Sequence, residues 1–306
     1  MHGTGLFIAL ATLAGGGTVV LVDRAHLDPA GIWQTVQDEA VEVLTIVGDA
    51  FARPLLAALD AEPGRWDLTS LRAITSSGVT WSPDTKRGLL AHLPRVTLLD
   101  SLGASEAMMT RSATRAGSDI APARFAVNDR LKVFGEGDRE VIPGSGEVGL
   151  VAVGGRVPIG YYKDEARSAT VFRTIGDVRY SIPGDYATVE TDGTIRLLGR
   201  GSACINTGGE KVYPEEVELL LRSHPGVFDC VVLGIPDERF GERVVAVVAP
   251  RPGHDLDESG LEAFCRGRLA GYKRPRAFVL LDDLGRSAAG KADYARLRRL
   301  VLDRMA

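Results

Sequence analysis

The 306-residue chain sets 36 lysines and arginines against 40 aspartates and glutamates, a formal net charge of −4. That balance excludes the basic surface a nucleic-acid backbone requires, and 45% hydrophobic residues are enough to fill the cores of one or two domains. Glycine, at 36 residues, stands well above its ordinary share of ~7% and predicts many sharp turns.

Residues 5–22 are uncharged, and Ala9-Leu10-Ala11 resembles a signal cleavage site. No lysine or arginine precedes the run, however, and Gly15-Gly16-Gly17 splits it, so neither a signal peptide nor an integral membrane segment is expected. The run reads instead as a short helix and a short strand in a buried core. Four β-prone runs follow one another at similar intervals (residues 18–22, 43–47, 71–75 and 96–99), with helical patterns at 28–40, 49–60 and 83–92 between them. Asp28-Pro29 and Ser82-Pro83 have the cap-then-proline form of a helix start. This alternation predicts an α/β fold with a parallel sheet, whose ligands bind beyond the carboxyl ends of its strands. Those ends carry Thr75-Ser76-Ser77-Gly78 and a small-residue turn, Asp100-Ser101-Leu102-Gly103-Ala104-Ser105-Glu106.

From about residue 113 the pattern becomes that of a small antiparallel β subdomain, with strands at 148–153, 179–182, 186–190 and 194–198 and a hairpin signal at Asp192-Gly193. After Arg200 an α+β set is expected: helix 214–224, strands 229–234 and 243–249, helix 257–269, strand 276–281 and helix 293–303. Cys204, Cys230 and Cys265 form no CxxC pair and have no histidine at zinc spacing, so they read as reduced thiols of a cytoplasmic protein. Only six cationic residues are lysines (Lys86, Lys132, Lys163, Lys211, Lys273 and Lys291), which makes each one notable.

The junction between the two halves, residues 199–218, reads GRGSACINTGGEKVYPEEVE. Gly199-Arg200-Gly201-Ser202 is expected to be a turn, Ile205 to lie in a short strand, and Tyr213-Pro214-Glu215-Glu216 to start a helix. On composition alone this is an ordinary αβ connection. Its residue order resembles the GRxxDxIKxxGxxIxPxEVE signature of the adenylate-forming enzymes, the acyl-CoA synthetase, adenylation-domain and luciferase superfamily, and within it bacterial acyl-CoA synthetases of the steroid side-chain or fatty-acid type. Asp100–Glu106 resembles the family's YGxTE motif, with Leu102 where a tyrosine is usual. Ser76-Ser77-Gly78-Val79-Thr80 resembles its SGGAPL segment, with Val79-Thr80 where a small residue and proline are usual, and Arg179-Tyr180-Ser181-Ile182-Pro183-Gly184-Asp185-Tyr186 resembles its YRTGD motif, with Ser181-Ile182-Pro183 in place of Arg-Thr. Arg286-Ser287-Ala288-Ala289-Gly290-Lys291 resembles its PRTxSGK loop, and His2-Gly3-Thr4-Gly5 its HGTG segment.

The resemblance implies a partial large domain at 1–200 (parallel α/β to 112, β-rich from 113) and a mobile C-terminal domain at 201–306 hinged near Ser202. It implies ATP or AMP held by Gly78, Val79, Thr80, Asp100, Ser101, Leu102, Gly103, Ser105, Asp185 and Arg200, with Glu106 on Mg²⁺. It further implies Lys291 as the catalytic cation, His2 beside the acyl pocket, and coenzyme A along Gly208 and Gly209, with Lys273 and Arg274 as weaker candidates for its phosphates. Without the resemblance, Asp185 is a turn residue and Lys291 a solvated lysine. The implied partners are a small carboxylic acid and CoA, and the implied role is fatty-acid or steroid metabolism. No segment of the form TSGTTGxPK, the family's phosphate loop, is present. Two alternatives stand beside the ligase: a truncated, catalytically incomplete remnant or split-gene subunit that binds nucleotide or a partner without activating the acid, and an enzyme that hands its acyl group to a carrier protein; a homodimer partner or a missing N-terminal half is a further expectation.

Overall fold

The computed structural model describes residues 3–23, 26–78, 81–120, 124–201, 204–287 and 291–305. His2, Val79, Thr80 and Ser202 therefore lie outside the described residues. The chain forms two compact units: residues 1–126 with two short excursions, and most of residues 127–306. The boundary near residue 200 expected from sequence falls inside the second unit.

The first unit contains α1 (Gly3–Ala14), α2 (Pro29–Asp38), β1 (Val43–Ile46), α3 (Gly48–Ala61), β2 (Ala73–Ser77), α4 (Pro83–His92), β3 (Thr97–Ala104), β4 (Ala107–Thr114) and the two-residue β5 (Phe125–Ala126). β1, β2 and β3 pair in parallel, and β4 folds back antiparallel on β3. Asp28 caps α2 by accepting from the Gly31 N–H, and Pro29 and Pro83 sit at helix starts where a missing N–H costs nothing. Trp33, Ile46, Leu55, Ile74, Leu89 and Leu98 form the core.

Three expectations are corrected here. Residues 18–22 are not a strand, and α1 buries no residue, so residues 5–22 are not buried core. A β-prone run without a ladder partner leaves its backbone groups to water. The Asp100–Ala104 stretch is not a loop: β3 runs through Ala104 because β4 pairs with it to the end, with a bulge at Leu102/Gly103.

The second unit opens with an antiparallel sheet: β6 (Leu131–Phe134), β7 (Gly149–Gly154), β8 (Phe172–Ile175), β9 (Val178–Ser181), β10 (Asp185–Val189) and β11 (Thr194–Arg200), with α5 (Glu165–Val171) before β8. The β10–β11 hairpin turns where expected, with Gly193 at φ +77°. β11 continues through Arg200, so Gly199-Arg200 is strand and not turn.

The C-terminal part comprises β12 (Ile205–Thr207), β13 (Glu210–Val212), α6 (Pro214–Arg222), β14 (Val227–Asp237), β15 (Gly241–Pro250), α7 (Glu258–Cys265), β16 (Ala277–Leu280) and α8 (Tyr294–Met305). β14 and β15 are long antiparallel partners and β16 joins β15 in parallel. Their side chains alternate strictly. Cys230, Val232, Val244, Ala246 and Val248 pack in a core with α6 and α7, while Val231, Leu233, Val245 and Val247 pack in another with Leu297 and Val301 of α8. The period of two thus places one apolar set on each covered face.

Candidate active site

In the first unit the carboxyl ends of β1–β3 carry a buried polar layer. The Ser76 hydroxyl accepts from the Gly48 N–H at 2.8 Å, and Asp49 accepts from the Ser82 N–H at 3.0 Å while pairing with Arg53 at 3.1 Å. Lys86, fully buried on α4, donates to Asp100 at 2.6 Å and lies 5.7 Å from the Trp81 ring. Burial pushes the Asp100 carboxyl above its ordinary range; the Lys86 charge and hydrogen bond oppose that shift, and the nearby Asp49 charge adds to it. The Asp100 carboxylate is thus engaged inside the protein, so the exposed features of the motif lie further along. Leu102 is buried, Glu106 is half-buried and Ser105 is exposed at the β3–β4 tip. The Ser101 hydroxyl is buried without a partner among the described residues. Gly78, at φ +84°, ends β2 in a conformation that L side chains avoid. The Thr4 hydroxyl meets that of Ser77, tying the start of α1 to the same strand end.

In the second unit the register of β10 and β11 sets Asp185 directly opposite Arg200. Two residues 15 apart in sequence are thereby brought together at the open end of one hairpin. Behind Gly184 (φ +98°) the chain turns, and the Gly201 N–H donates to the Gly184 carbonyl at 3.1 Å. Tyr186 packs on Tyr213 with ring centres 5.7 Å apart, and burial pushes the Tyr213 phenol up to about 12. Gly208 and Gly209, at φ +59° and +86°, form the two-residue turn between β12 and β13. A turn of that kind requires positive φ at both positions. Lys273 is engaged with Glu216 at 2.7 Å, so one candidate for a CoA phosphate already has a carboxylate partner.

Lys291 is exposed, and its backbone closes a loop on Ser287 through Ser287 N–H to Lys291 carbonyl (2.8 Å) and Lys291 N–H to Ser287 hydroxyl (3.2 Å). The root of that loop is held by a group the motif reading passed over. Arg286 grips Asp229 through Nε at 2.6 Å and Nη2 at 3.0 Å. Arg222 joins Asp229 at 3.4 Å to Glu218 at 2.9 Å, and Glu218 accepts the Val232 N–H at 2.9 Å. Burial by itself would raise the Asp229 carboxyl, but the Arg286 hydrogen bonds and the two arginine charges hold it below the usual carboxylate range. Sequence reasoning also passed over Lys86; the rarity of lysine was the one signal pointing to it. Among the described residues no group of three or more His, Cys, Asp or Glu side chains could hold a metal. A magnesium ion bound largely through substrate phosphates needs only one or two protein carboxylates, and Glu106 stands half-buried at the β3–β4 tip.

The chain matches the AMP-binding enzyme family over residues 1–162 and the AMP-binding enzyme C-terminal domain over residues 216–291. It is 46% identical over 296 residues to a medium/long-chain-fatty-acid–CoA/3-oxocholest-4-en-26-oate–CoA ligase of Mycobacterium marinum, covering 96% of this chain and 53% of that relative. It is 44% identical over 306 residues to a 3-oxocholest-4-en-26-oate–CoA ligase of Rhodococcus rhodochrous, with 96% and 54% covered. Among solved structures, ATP-bound MatB from Rhodopseudomonas palustris superposes with a TM-score of 0.80 at 28% identity, covering 100% of this chain and 59% of that one. The chain spans about half the length of the curated relatives it matches. On motifs, fold and both domain matches, the chain belongs to the AMP-binding, adenylate-forming enzyme family.

Proposed function

We propose that this chain supplies the adenosine-binding and lysine-bearing half of an ATP-dependent acyl-CoA ligase acting on a fatty-acid or steroid side-chain carboxylate. The observation that supports this best is the pairing of Asp185 with Arg200 at the adjoining ends of β10 and β11. A carboxylate there can accept from both ribose hydroxyls, and charge-assisted bonds are the stronger kind. Gly78 ends β2 at φ +84°, Ser105 and Glu106 stand at the β3–β4 hairpin tip, and Glu106 would be the protein carboxylate on Mg²⁺, which neutralises phosphate charge when bound. In the first half-reaction a carboxylate oxygen bonds to the α-phosphorus of ATP and pyrophosphate leaves. Lys291 stabilises the charge that develops. In the second, the CoA sulfur bonds to the acyl carbon, AMP leaves and the thiol proton is released, with the C-terminal part swinging about Ser202 and Gly208-Gly209 bordering the thiol's path.

The chain's span of about half its relatives, together with the missing phosphate loop, supports a second reading: by itself it holds nucleotide without activating an acid. One experiment addresses both. The purified chain, alone and mixed with the upstream segment of the M. marinum ligase, is assayed for ATP–pyrophosphate exchange with a long-chain fatty acid and with 3-oxocholest-4-en-26-oate. Exchange is expected in the mixture and not with the chain alone; no exchange in a mixture that forms a complex overturns the ligase reading. In the active mixture Lys291→Ala should slow adenylate formation about 10²–10³-fold and leave CoA transfer from preformed acyl-AMP nearly intact. Equal losses in both half-reactions would remove Lys291 from its role.

A further inference from the structure

Lys291 is carried on a short loop between Arg286 and α8, and both flanks of that loop are fastened to groups of the same unit. On the near side Arg286 grips Asp229 of β14 through Nε at 2.6 Å and Nη2 at 3.0 Å, an arrangement that fixes direction as well as distance. Asp229 is itself held, since its carboxylate accepts from the Cys230 N–H at 2.8 Å and Arg222 of α6 lies 3.4 Å away. Arg222 also donates to the Cys230 carbonyl at 2.8 Å, which ties the helix to the same point of the strand. Just ahead of Arg286, Arg296 of α8 donates to the Leu284 carbonyl. Gly285 takes φ +64°, and a Cβ there would meet the Arg296 guanidinium, so only glycine lets the chain pass unstrained. On the far side Asp293 caps α8 by accepting from the Arg296 N–H at 2.9 Å. Burial pushes the Tyr294 phenol up to about 12; the Glu218 and Glu215 charges add to that shift, and the Arg286 and Arg222 charges oppose it. The first residue of α8 thus lies beside the network that holds the residue before the loop.

We propose that Asp229 and Arg286 are positioning residues for Lys291: their two-point grip sets the direction in which the 287–291 loop leaves the sheet, and so where the Lys291 ammonium arrives. The proposal rests on the reading of Lys291 as the adenylating cation and adds what aims it. Lysine is a point charge on a flexible stem, so its direction has to come from the backbone that carries it. A loop fastened at both roots, and closed by the Ser287–Lys291 bonds, leaves little more than that stem to be ordered in the reaction.

The test is Arg286→Lys, which keeps a cation opposite Asp229 but cannot make the two-point grip. Amide exchange followed by NMR on the 306-residue chain should show Ser287 and Lys291 exchanging about tenfold faster. The amides of β15 and the melting temperature should stay close to those of the parent chain. In the mixture that catalyses ATP–pyrophosphate exchange, the variant should lower kcat for adenylate formation about 10–10²-fold. KM for the acid and for ATP, and CoA transfer from preformed acyl-AMP, should not change. A pair that only stabilised the fold would slow both half-reactions in step with the folded fraction. Asp229→Asn, assayed below its melting transition, should show the same split. Arg266→Lys, at an exposed pair on α7, should move neither readout. Unchanged loop exchange in both variants, or faster exchange with full adenylation, overturns the proposal. An inactive mixture, or a Lys291→Ala variant of full activity, instead overturns the ligase reading, and the exchange measurement on the chain alone then decides whether the grip directs the loop.

Discussion

Lys86 shows how much one side chain can decide. An ammonium with no exposure is stable only because Asp100 lies 2.6 Å away and the Trp81 ring faces it. Removing one partner of such a pair strands the other, at a cost of about 3–5 kcal/mol, whereas removing both is far cheaper. Lys86→Met should therefore lower urea-measured stability by that amount, and Lys86→Met with Asp100→Leu should recover most of it. A single and a double variant of equal stability would mean that the pair carries no such coupling. The pair also roots β3 at the point where the strand heads toward Ser105 and Glu106. Asp100 thus acts in the fold by anchoring the motif, and its proposed closeness to nucleotide rests on the backbone it fixes.

At the scale of elements, the β12–β13 hairpin shows why glycine occupies both turn positions. Gly208 and Gly209 take positive φ, and a Cβ on Gly209 would meet open space, so strain alone sets its cost. Gly209→Ala should destabilise by about 1 kcal/mol, and Gly209→Asn by less, since asparagine tolerates the left-handed region. Thermal melts of the two variants check the order. If alanine proves the milder, this turn is not held in the geometry described. The same hairpin lies between the Asp185/Arg200 strand ends and α6, where Tyr186 meets Tyr213.

For the molecule as a whole, the Glu218–Arg222–Asp229–Arg286 network ties α6, β14 and the Lys291 loop into one charged unit. Asp229 is held below the usual carboxylate range, so its contribution is complete above the unfolded value of about 3.9 and is lost as pH falls through the lower folded value. Stability should thus drop with acid below about pH 4. Arg286→Met should cost about 3–5 kcal/mol at pH 7 and flatten that acid dependence, as read from urea unfolding between pH 2.5 and 7. An unchanged acid slope would show that Arg286 does not set the Asp229 titration.

What the sequence determined by itself is what local chemistry encodes. Proline and acid at 214–216, the cap at Asp28-Pro29 and the Asp192-Gly193 turn each act within a few residues, and a helix, a helix and a hairpin formed there; the strands read at 229–234 and 243–249 formed too, and each runs longer than its local signal because the two pair along their length. The turn at Asp192-Gly193 was legible, and the hairpin it makes sets Asp185 opposite Arg200 in register. Tertiary structure alone decided the rest. Residues 18–22 have every local mark of a strand yet form none, because a strand exists only in the company of a neighbour. β3 outran its expected end because β4 came back along it. Lys86 meets Asp100 only because a helix and the strand that follows it pack with their polar ends in register. Torsional preference and periodicity are written along the chain; pairing partners and buried charges are chosen across it, by desolvation and hydrogen-bond demand that no short window of residues contains.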